Sequence, residues 1–387
     1  MIRRRFFGGV LATAAALPAL PARAQFGGIP STTVTLGVAA PFNGKDRPLG
    51  EQLYNGVQQA VNDANQVHGT FDLLFSTRLF DDQDMLAQAN VTAQEAVDDI
   101  TVACVVGHLN GRVTEAALST YNIARLPVIV PTSAYDRLTE YGYGGILRMV
   151  TKDATEGSLG AKYFEDRLKP KQVAVLYQDG DYGFDVANGF ATRLGADKVA
   201  CTPVKISWEK PQFDVAVQQT LAVTPDLVYL AGNLGDMGVV LDGLRAANYT
   251  GPFGASQGFF TQTTLDKYAK SAEGMIASSS IPPFQFAPTA LQIIQNFEQN
   301  FGTFTALSAF GYASAQVAID AVRRTGQATR QGLWQSFQIP ASYDTILGTL
   351  NFFSTGDQVD PNLYFYQIKD GKWTYIHAAH AAGFLVK

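Results

Sequence analysis

The residues best suited to chemistry in this sequence surround a serine. Residues 254–258 read G-A-S-Q-G, the G-x-S-x-G pattern in which hydrolases expose a nucleophile, here Ser256. Asp320, Asp344 and then His377 follow in the Ser…Asp…His order of α/β-hydrolases. Such a nucleophile needs a buried strand directly before it, yet the preceding residues include a glycine, a proline and only one strong apolar side chain. The pattern favours a loop, and a serine hydrolase is the alternative.

Other patterns for metals and cofactors are weak. His377 and His380 stand three residues apart with no third ligand near them in sequence, and His68 and His108 are isolated. No P-loop occurs, and no G-x-G-x-x-G follows a strand, which removes the usual nucleotide cofactors. We therefore expect a protein that is not an enzyme and that uses neither a metal nor a cofactor.

Length and composition exclude several further classes of protein. The chain has 387 residues, enough for about two or three domains, and 47% apolar with 16% charged residues exclude a long disordered chain. A net charge of −5 leaves no basic excess to neutralise phosphates, so nucleic acid is not an expected partner. Cys104 and Cys201 lie in apolar-alternating runs, which predicts buried free thiols. The acid pairs Asp81-Asp82 and Asp98-Asp99 are expected in solvated loops.

The first 24 residues predict an export signal. Arginines at positions 3–5 precede a weakly apolar stretch, and Ala22-Arg23-Ala24 forms an A-x-A cleavage pattern before Gln25. The arginines with the two phenylalanines after them resemble a twin-arginine signal, although the Sec route stays open. The apolar stretch is shorter than the roughly 20 residues of a membrane span. Cleavage after Ala24 is expected.

The rest of the chain alternates strands and helices. Apolar runs at 34–38, 73–80, 101–106 and 127–130 predict strands, separated by stretches of helical period at 51–64, 85–97 and 113–123. A second series begins near residue 173, and after helical segments at 289–337 the chain ends in a predicted β-hairpin. This alternation indicates parallel sheets covered by helices. Two such series suggest two lobes with a ligand in the cleft between them.

A glycine-rich turn and a Pro-Thr-Ser turn end two neighbouring predicted strands. Residues 107–111 end one strand and lead into a helix, and residues 131–133 end the next. A helix N-terminus presents free N–H groups and positive potential, which suit a carboxylate. Ordinary helix capping explains either turn taken alone. Two turns on adjacent strands favour a binding cleft.

These turns and several other segments resemble the periplasmic leucine/isoleucine/valine-binding protein family, the solute receptors of ABC importers. Val106-Gly107-His108-Leu109 is similar to that family's V-I-G-H-L, and residues 129–139 are similar to its I-T-P-x-x-T…E-L-T. Residues 178–183 resemble the turn that opens a helix of the second lobe, and further segments between 226 and 274 fit in order and spacing. The resemblance spans about residues 33 to 373.

The resemblance implies an α/β fold of the two-lobe periplasmic-binding-protein type I, a Venus flytrap that closes by hinge bending. Parallel sheets flanked by helices are expected in each lobe, with three hinge crossovers near residues 148–153, 278–282 and 360–363. Lobe 1 is expected to hold residues 31–149 and 279–361. Lobe 2 is expected to hold residues 150–278 and 362–387.

The resemblance also assigns a ligand pocket, position by position. From the first lobe it implies Leu49, Leu109, Asn110, Gly111, Arg112, Thr132, Ser133 and Ala134. From the second lobe it implies Tyr182, Asn233 and Gln257. The G-x-S-x-G segment thereby becomes a ligand loop.

Several of these positions depart from the amino-acid binders. Gly111 and Ala134 replace a serine and a threonine, Asn233 replaces a tyrosine, and Leu49 replaces an aromatic residue. Gln257 replaces the glutamate that pairs with the ligand ammonium, a loss expected to weaken α-amino acids about 10-fold or more. These departures favour an organic acid, amide or other polar solute without an obligatory ammonium.

An acid elsewhere in the pocket, for example Asp181 or Asp236, would restore amino-acid binding.

The expected function is the periplasmic solute-binding component of an ABC importer of the branched-chain amino acid type. Its ligand would be an amino acid or a related small polar organic acid or amide. It would act as a monomer that delivers this ligand to an inner-membrane ABC permease. A sensor-type receptor of the same fold is the alternative within the family.

Overall fold

The computed structural model describes residues 32–67, 73–207, 212–235 and 237–380. The export signal with its cleavage site, and also His68 and Asp236, lie outside the described residues. Among the described residues, no helix combines the length and the apolar character that a membrane crossing requires.

The first sheet contains five parallel strands in the order β2-β1-β3-β4-β5. The strands are β1 (Thr32–Ala40), β2 (Leu73–Asp81), β3 (Val102–Gly107), β4 (Val128–Val130) and β5 (Ile146–Arg148). The helices between them are α1 (Arg47–Gln66), α2 (Leu86–Asp98) and α3 (Gly111–Ile123). Strands β3 and β4 are buried along their whole length, as expected for a parallel sheet covered on both faces.

The second sheet contains seven strands in the order β14-β13-β10-β9-β8-β6-β7, and β13 is antiparallel to both of its neighbours, β10 and β14. Its strands are β6 (Gln172–Gln178), β7 (Ala200–Ile206), β8 (Leu227–Ala231), β9 (Phe253–Ala255), β10 (Ile276–Ser279), β13 (Asn362–Lys369) and β14 (Lys372–His380). Its helices are α4 (Asp153–Leu168), α5 (Asp181–Ala196), α6 (Phe213–Ala222), α7 (Met237–Ala246) and α8 (Gln262–Tyr268).

The chain then returns to the first sheet before it completes the second. The returning elements are α9 (Pro288–Phe301), α10 (Ala306–Thr325), α11 (Arg330–Ser336), β11 (Ala341–Thr345) and β12 (Gly348–Phe352). Helix α10 contributes most of its apolar residues to the core that it shares with α1 and β1. Each sheet therefore has its own core, and the chain passes between the sheets at residues 148–153, 279–288 and 352–362.

The sequence predicted a loop before Ser256. This prediction is wrong, because a short buried strand, β9, lies there. Gly254 sits in this strand because aromatic rings need the space beside it: a Cβ at this position would lie 2.5 Å from the Phe164 ring and 3.0 Å from the Tyr229 ring. A strand of three residues that contains a glycine carries almost no hydrophobic signal in sequence.

A buried hydrogen bond between Asp82 and His108 corrects a second expectation. Asp82 does not lie in a solvated loop: it is 1% exposed, and its Oδ2 lies 2.6 Å from Nδ1 of the equally buried His108. His108 Nε2 lies 3.0 Å from the Tyr121 hydroxyl, so this histidine belongs to the core of the first lobe.

Both cysteines are free; Cys104 is buried and Cys201 is half-buried.

Candidate functional site

A cleft of about 430 Å³ lies where the carboxyl ends of strands from the two sheets face each other. The loops after β3 and β4 form one wall, and the residues after β6, β8 and β9 form the other. The lining residues are Leu109, Asn110, Gly111, Arg112, Thr132, Ser133, Ala134, Tyr135, Asp153, Asp181, Tyr182, Asn233, Gln257 and Gly258.

The structure thus brings together every predicted ligand residue except Leu49. Leu49 lies in the first turn of α1, is 43% exposed, and is not among the residues that line the cleft. Tyr135, Asp153 and Gly258 line the cleft without having been predicted. Asp181, which the sequence offered only as a possible replacement acid, also lines it.

The first wall is built by the start of α3 and the loop after β4. Asn110 caps the helix by accepting a hydrogen bond from the Arg112 amide at 2.9 Å, which fixes the helix start at the cleft. The Thr132 hydroxyl donates to the Leu109 carbonyl at 3.1 Å and ties the two loops together. The Ser133 hydroxyl is buried, and no described residue is a hydrogen-bond partner for it. A helix N-terminus with a hydroxyl beside it can hold a carboxylate.

Ser133 fills the space that a side chain at position 111 would occupy. A Cβ on Gly111 would lie 2.8 Å from Ser133 Oγ and 3.0 Å from Tyr135 Cβ. A serine at position 111, as in the amino-acid binders, would collide with this hydroxyl. The hydroxyl group absent at 111 is therefore replaced by one that enters from the neighbouring loop.

The second wall is organised by a buried acid, Glu156. Its carboxylate accepts hydrogen bonds from the Gln257 backbone amide at 2.6 Å, from Gln257 Nε2 at 3.0 Å and from the Ser278 hydroxyl at 2.6 Å. The Tyr182 hydroxyl donates to it at 3.4 Å and accepts from the Gly258 amide at 3.2 Å. Burial raises the pKa of Glu156, although the hydrogen bonds from these donors oppose the rise. Gln257 therefore stands directly in front of an acid that does not itself line the cleft.

Glu156 and Asp153 were missed because no helix was predicted where α4 lies. Both acids fall in the first turn of α4, where acidic residues are typical of a helix start. Leu159, Tyr163 and Phe164 follow as buried residues at helical spacing. This combination of acids and apolar period is the signal that would have identified the helix.

An ion pair joins the two walls at the cleft. Arg112 at the start of α3 donates through Nε to Asp181 Oδ2 at 2.7 Å, and its Nη2 lies 2.6 Å from the same oxygen. The guanidinium also lies over the Tyr135 ring, 5.2 Å from its centroid. The sequence predicted Arg112 as a cation that binds the ligand. In the structure its guanidinium already pairs with Asp181 on the opposite wall.

The geometry of Ser256 does not suit a nucleophile. Its side chain is fully buried, its hydroxyl donates to the Gly232 carbonyl at 2.9 Å, and it accepts from the Gly232 amide at 3.0 Å. His377 lies against the rings of Tyr163 and Phe365 on the far strand of the sheet. The serine thus ties β9 to the loop after β8.

Comparison with known proteins agrees with this architecture. The family model described as periplasmic binding protein matches residues 33–372. The chain is 27% identical over 248 residues to the Leu/Ile/Val-binding protein of Escherichia coli, which covers 63% of this chain and 67% of that protein. A leucine-binding protein from Thermotoga maritima has a similar structure, with a TM-score of 0.78 at 20% identity over 89% of this chain and 98% of that chain.

A second similar structure has a different kind of ligand. It is a solute-binding protein of an ABC transporter from Rhodopseudomonas palustris in complex with 3,4-dihydroxybenzoic acid. It has a TM-score of 0.76 at 18% identity over 91% of this chain and 98% of that chain. These similarities confirm the family resemblance and the two-lobe α/β fold expected from the sequence. Because the family model covers most of the chain, the protein belongs to the periplasmic binding protein family, whose members bind solutes.

Proposed function

We propose that this protein is the solute-binding component of an ABC importer of the branched-chain amino acid type. Its ligand would be an amino acid or a related small polar organic acid or amide, held in the cleft between the lobes. The observation that carries the proposal is the buried Ser133 hydroxyl beside the start of α3, which has no hydrogen-bond partner within the described part of the chain. An unused buried donor at a helix N-terminus provides a place for a carboxylate. Leucine and 3,4-dihydroxybenzoic acid, named for two similar structures, share that group.

The proposed contacts come from both walls of the cleft. On the first wall they are Leu109, Asn110, Gly111, Arg112, Thr132, Ser133 and Ala134. On the second wall they are Tyr182, Asn233 and Gln257. Lobes of residues 31–149 with 279–361 and of residues 150–278 with 362–387 would close on the solute by bending at the three crossovers.

The remaining parts of the proposal concern transport. The chain would be exported, cleaved after Ala24, and would act as a monomer that passes its solute to an inner-membrane permease. The relatives named for transport or for Leu/Ile/Val binding favour this role over a sensor. Solute capture by closure needs no chemistry from the chain itself.

A thermal-shift screen of the mature chain from Gln25 tests the proposal. The protein is first partly unfolded and refolded so that a co-purified solute is removed. The panel contains amino acids, their matching carboxylic acids and their amides. A ligand at about 1,000 times its dissociation constant adds ~4 kcal/mol to the free energy of unfolding, which is several degrees in melting temperature. A panel in which no solute raises the melting temperature would contradict the proposed function.

A further inference from the structure

Three carboxylates from different elements meet beside the cleft, and one of them, Asp153, lines it. Asp136 comes from the short turn after β4, Asp153 begins α4, and Asp185 lies in the second turn of α5. One oxygen from each of the three lies within 4.8 Å of the others. Asp136 belongs to the first lobe and Asp185 to the second, so the group spans both lobes.

Asp153 is the member of this group that faces the ligand space. Its side chain lines the cleft, the residue is only 2% exposed, and its Oδ1 has no hydrogen-bond partner among the described residues. Most buried carboxylate oxygens in proteins accept at least one hydrogen bond. This oxygen is therefore a buried acceptor left open among the described residues, on a residue that lines the cleft, which the acidic cluster alone would not indicate.

Nearby cations do not satisfy the group. Arg148 and Lys152 both act on Asp136, but the Arg148 guanidinium donates to the carbonyls of Ala134 and Tyr135, to the Thr139 hydroxyl and to Asp357. Lys152 Nζ likewise lies 3.0 Å from Asp357. Glu156 adds a further buried acid in the same helical turn as Asp153. Burial, reinforced by these acids, raises the pKa of Asp153, and burial with neighbouring acids raises the pKa of Asp185 to about 6. The surroundings of Asp153 thus hold an excess of acidic groups.

Helix dipoles explain only part of the arrangement. Asp153 lies in the first turn of α4, where the helix N-terminus favours an acid. Asp136 lies outside both long helices and Asp185 lies beyond the first turn of α5, yet both approach Asp153. The dipole of α4 provides no hydrogen-bond donor for the open Asp153 oxygen. It also does not offset the repulsion among the three carboxylates.

We propose that Asp136, Asp153 and Asp185 form the subsite that holds a primary ammonium group of the solute. An ammonium has three N–H donors, which match three carboxylate acceptors. A calcium ion would take six to eight oxygens, about twice what three single oxygens supply. The inference rests on the proposed function and specifies it: the solute carries both a carboxylate, held near Ser133, and an ammonium. It also accounts for Gln257, since the acid lost there is replaced by acids from α4 and α5.

Calorimetry with matched solutes tests the subsite. The amino acid that gives the largest thermal shift is compared with its deaminated carboxylic acid on the wild type and on Asp153→Asn and Asp185→Asn. We expect the deaminated acid to bind the wild type at least 10-fold more weakly, and each variant to reduce this ratio several-fold. Asp166→Asn, on the exposed face of α4, is the control and keeps the wild-type ratio.

The subsite and the broader function fail in different ways. A deaminated acid that binds the wild type as tightly as its amino acid overturns the ammonium subsite and leaves the solute-binding function in place. Loss of all solute binding across the panel overturns the function itself. A melting temperature raised by submillimolar Ca²⁺ or Mg²⁺ in the wild type, but not in Asp185→Asn, would assign the carboxylates to a metal and overturn the ammonium. Asp185→Asn keeps the test valid if Asp153→Asn does not fold, because Asp185 is only partly buried.

Discussion

Ser133 offers a direct test of carboxylate binding at the scale of one residue. Its hydroxyl is buried and unpartnered in the described structure, so Ser133→Ala removes a donor without breaking an internal hydrogen bond. A hydrogen bond to a charged group contributes ~1.5–3 kcal/mol, so we expect a carboxylate solute to bind roughly 10- to 100-fold more weakly. Titration calorimetry measures the change. Ser342→Ala, an exposed hydroxyl on β11, is the matched control, and equal affinity in the two variants would remove Ser133 from the site.

Asp185 predicts a pH dependence of stability. Burial and the acids Asp136, Asp181 and Glu140 raise its pKa from 3.8 to about 6. The folded protein therefore binds more protons than the unfolded chain between these values, and the free energy of unfolding falls as pH rises through that window. We expect the melting temperature of the unliganded Asp185→Asn variant to fall less between pH 4 and 6 than that of the wild type. Identical pH profiles for the two proteins would contradict this assignment.

At the residue scale, the sequence does not show which groups lie next to the altered ligand positions. Gly111 and Gln257 are visible in the sequence as lost ligand groups. The buried groups that lie against these positions, Ser133 beside Gly111 and Glu156 behind Gln257, come from other parts of the chain, and Glu156 is 101 positions from Gln257. Only the folded chain brings such pairs together, so the lost groups could be predicted and their neighbours could not.

At the scale of elements, the contact between α1 and α10 depends on two glycines. A Cβ on Gly311 would lie 2.2 Å from the Leu53 carbonyl oxygen, and one on Gly56 would lie 2.1 Å from the Ser308 carbonyl oxygen. Gly311→Ala should therefore destabilise the protein by roughly 1–3 kcal/mol, because neither backbone can retreat without disturbing its helix. Thermal unfolding measures this as a lower melting temperature. Gly195→Ala on α5 has no atom within 4 Å and should leave the melting temperature unchanged or slightly higher, so a similar loss in both variants would argue against close helix packing.

Most long elements follow from sequence, and two of the short strands do not. The predicted helix at 213–222 matches α6, and the predicted strand at 73–80 ends one residue before β2 does. Strands β5 and β9 have three residues each and are stabilised by their neighbours in the sheet, so hydrophobic period is too short to reveal them. The long helix α4 was not predicted, and Asp153 of the proposed ammonium subsite was missed with it because this residue begins α4.

At the scale of the whole molecule, Arg112 and Asp181 link the two lobes across the cleft. Both side chains are about half exposed, so the pair contributes at most about 1 kcal/mol. Asp181→Asn should leave the unliganded melting temperature nearly unchanged and speed solute dissociation up to about 5-fold, since the pair joins the two walls across the cleft. Stopped-flow dissociation measures the rate. Glu51→Gln removes an exposed ion pair within one lobe and is the control; equal dissociation rates in the two variants would exclude a role for Arg112–Asp181 in closure.

The two-lobe plan could be predicted from the order of strands and helices and from the family resemblance. The sequence also indicated which loops meet at the cleft, because the carboxyl ends of parallel strands lie at one edge of a sheet. The charge of the cleft could not be predicted. It arises where Asp136, Asp153 and Asp185 converge from separate elements at the junction of the lobes.

The most direct measurement of the central claim is titration calorimetry of the refolded mature protein with the solute that gives the largest thermal shift. The account predicts saturable binding of one carboxylate-bearing solute per chain, weakened in Ser133→Ala. Saturable binding that Ser133→Ala leaves unchanged, or no saturable heat with any amino acid, carboxylic acid or amide, would contradict it.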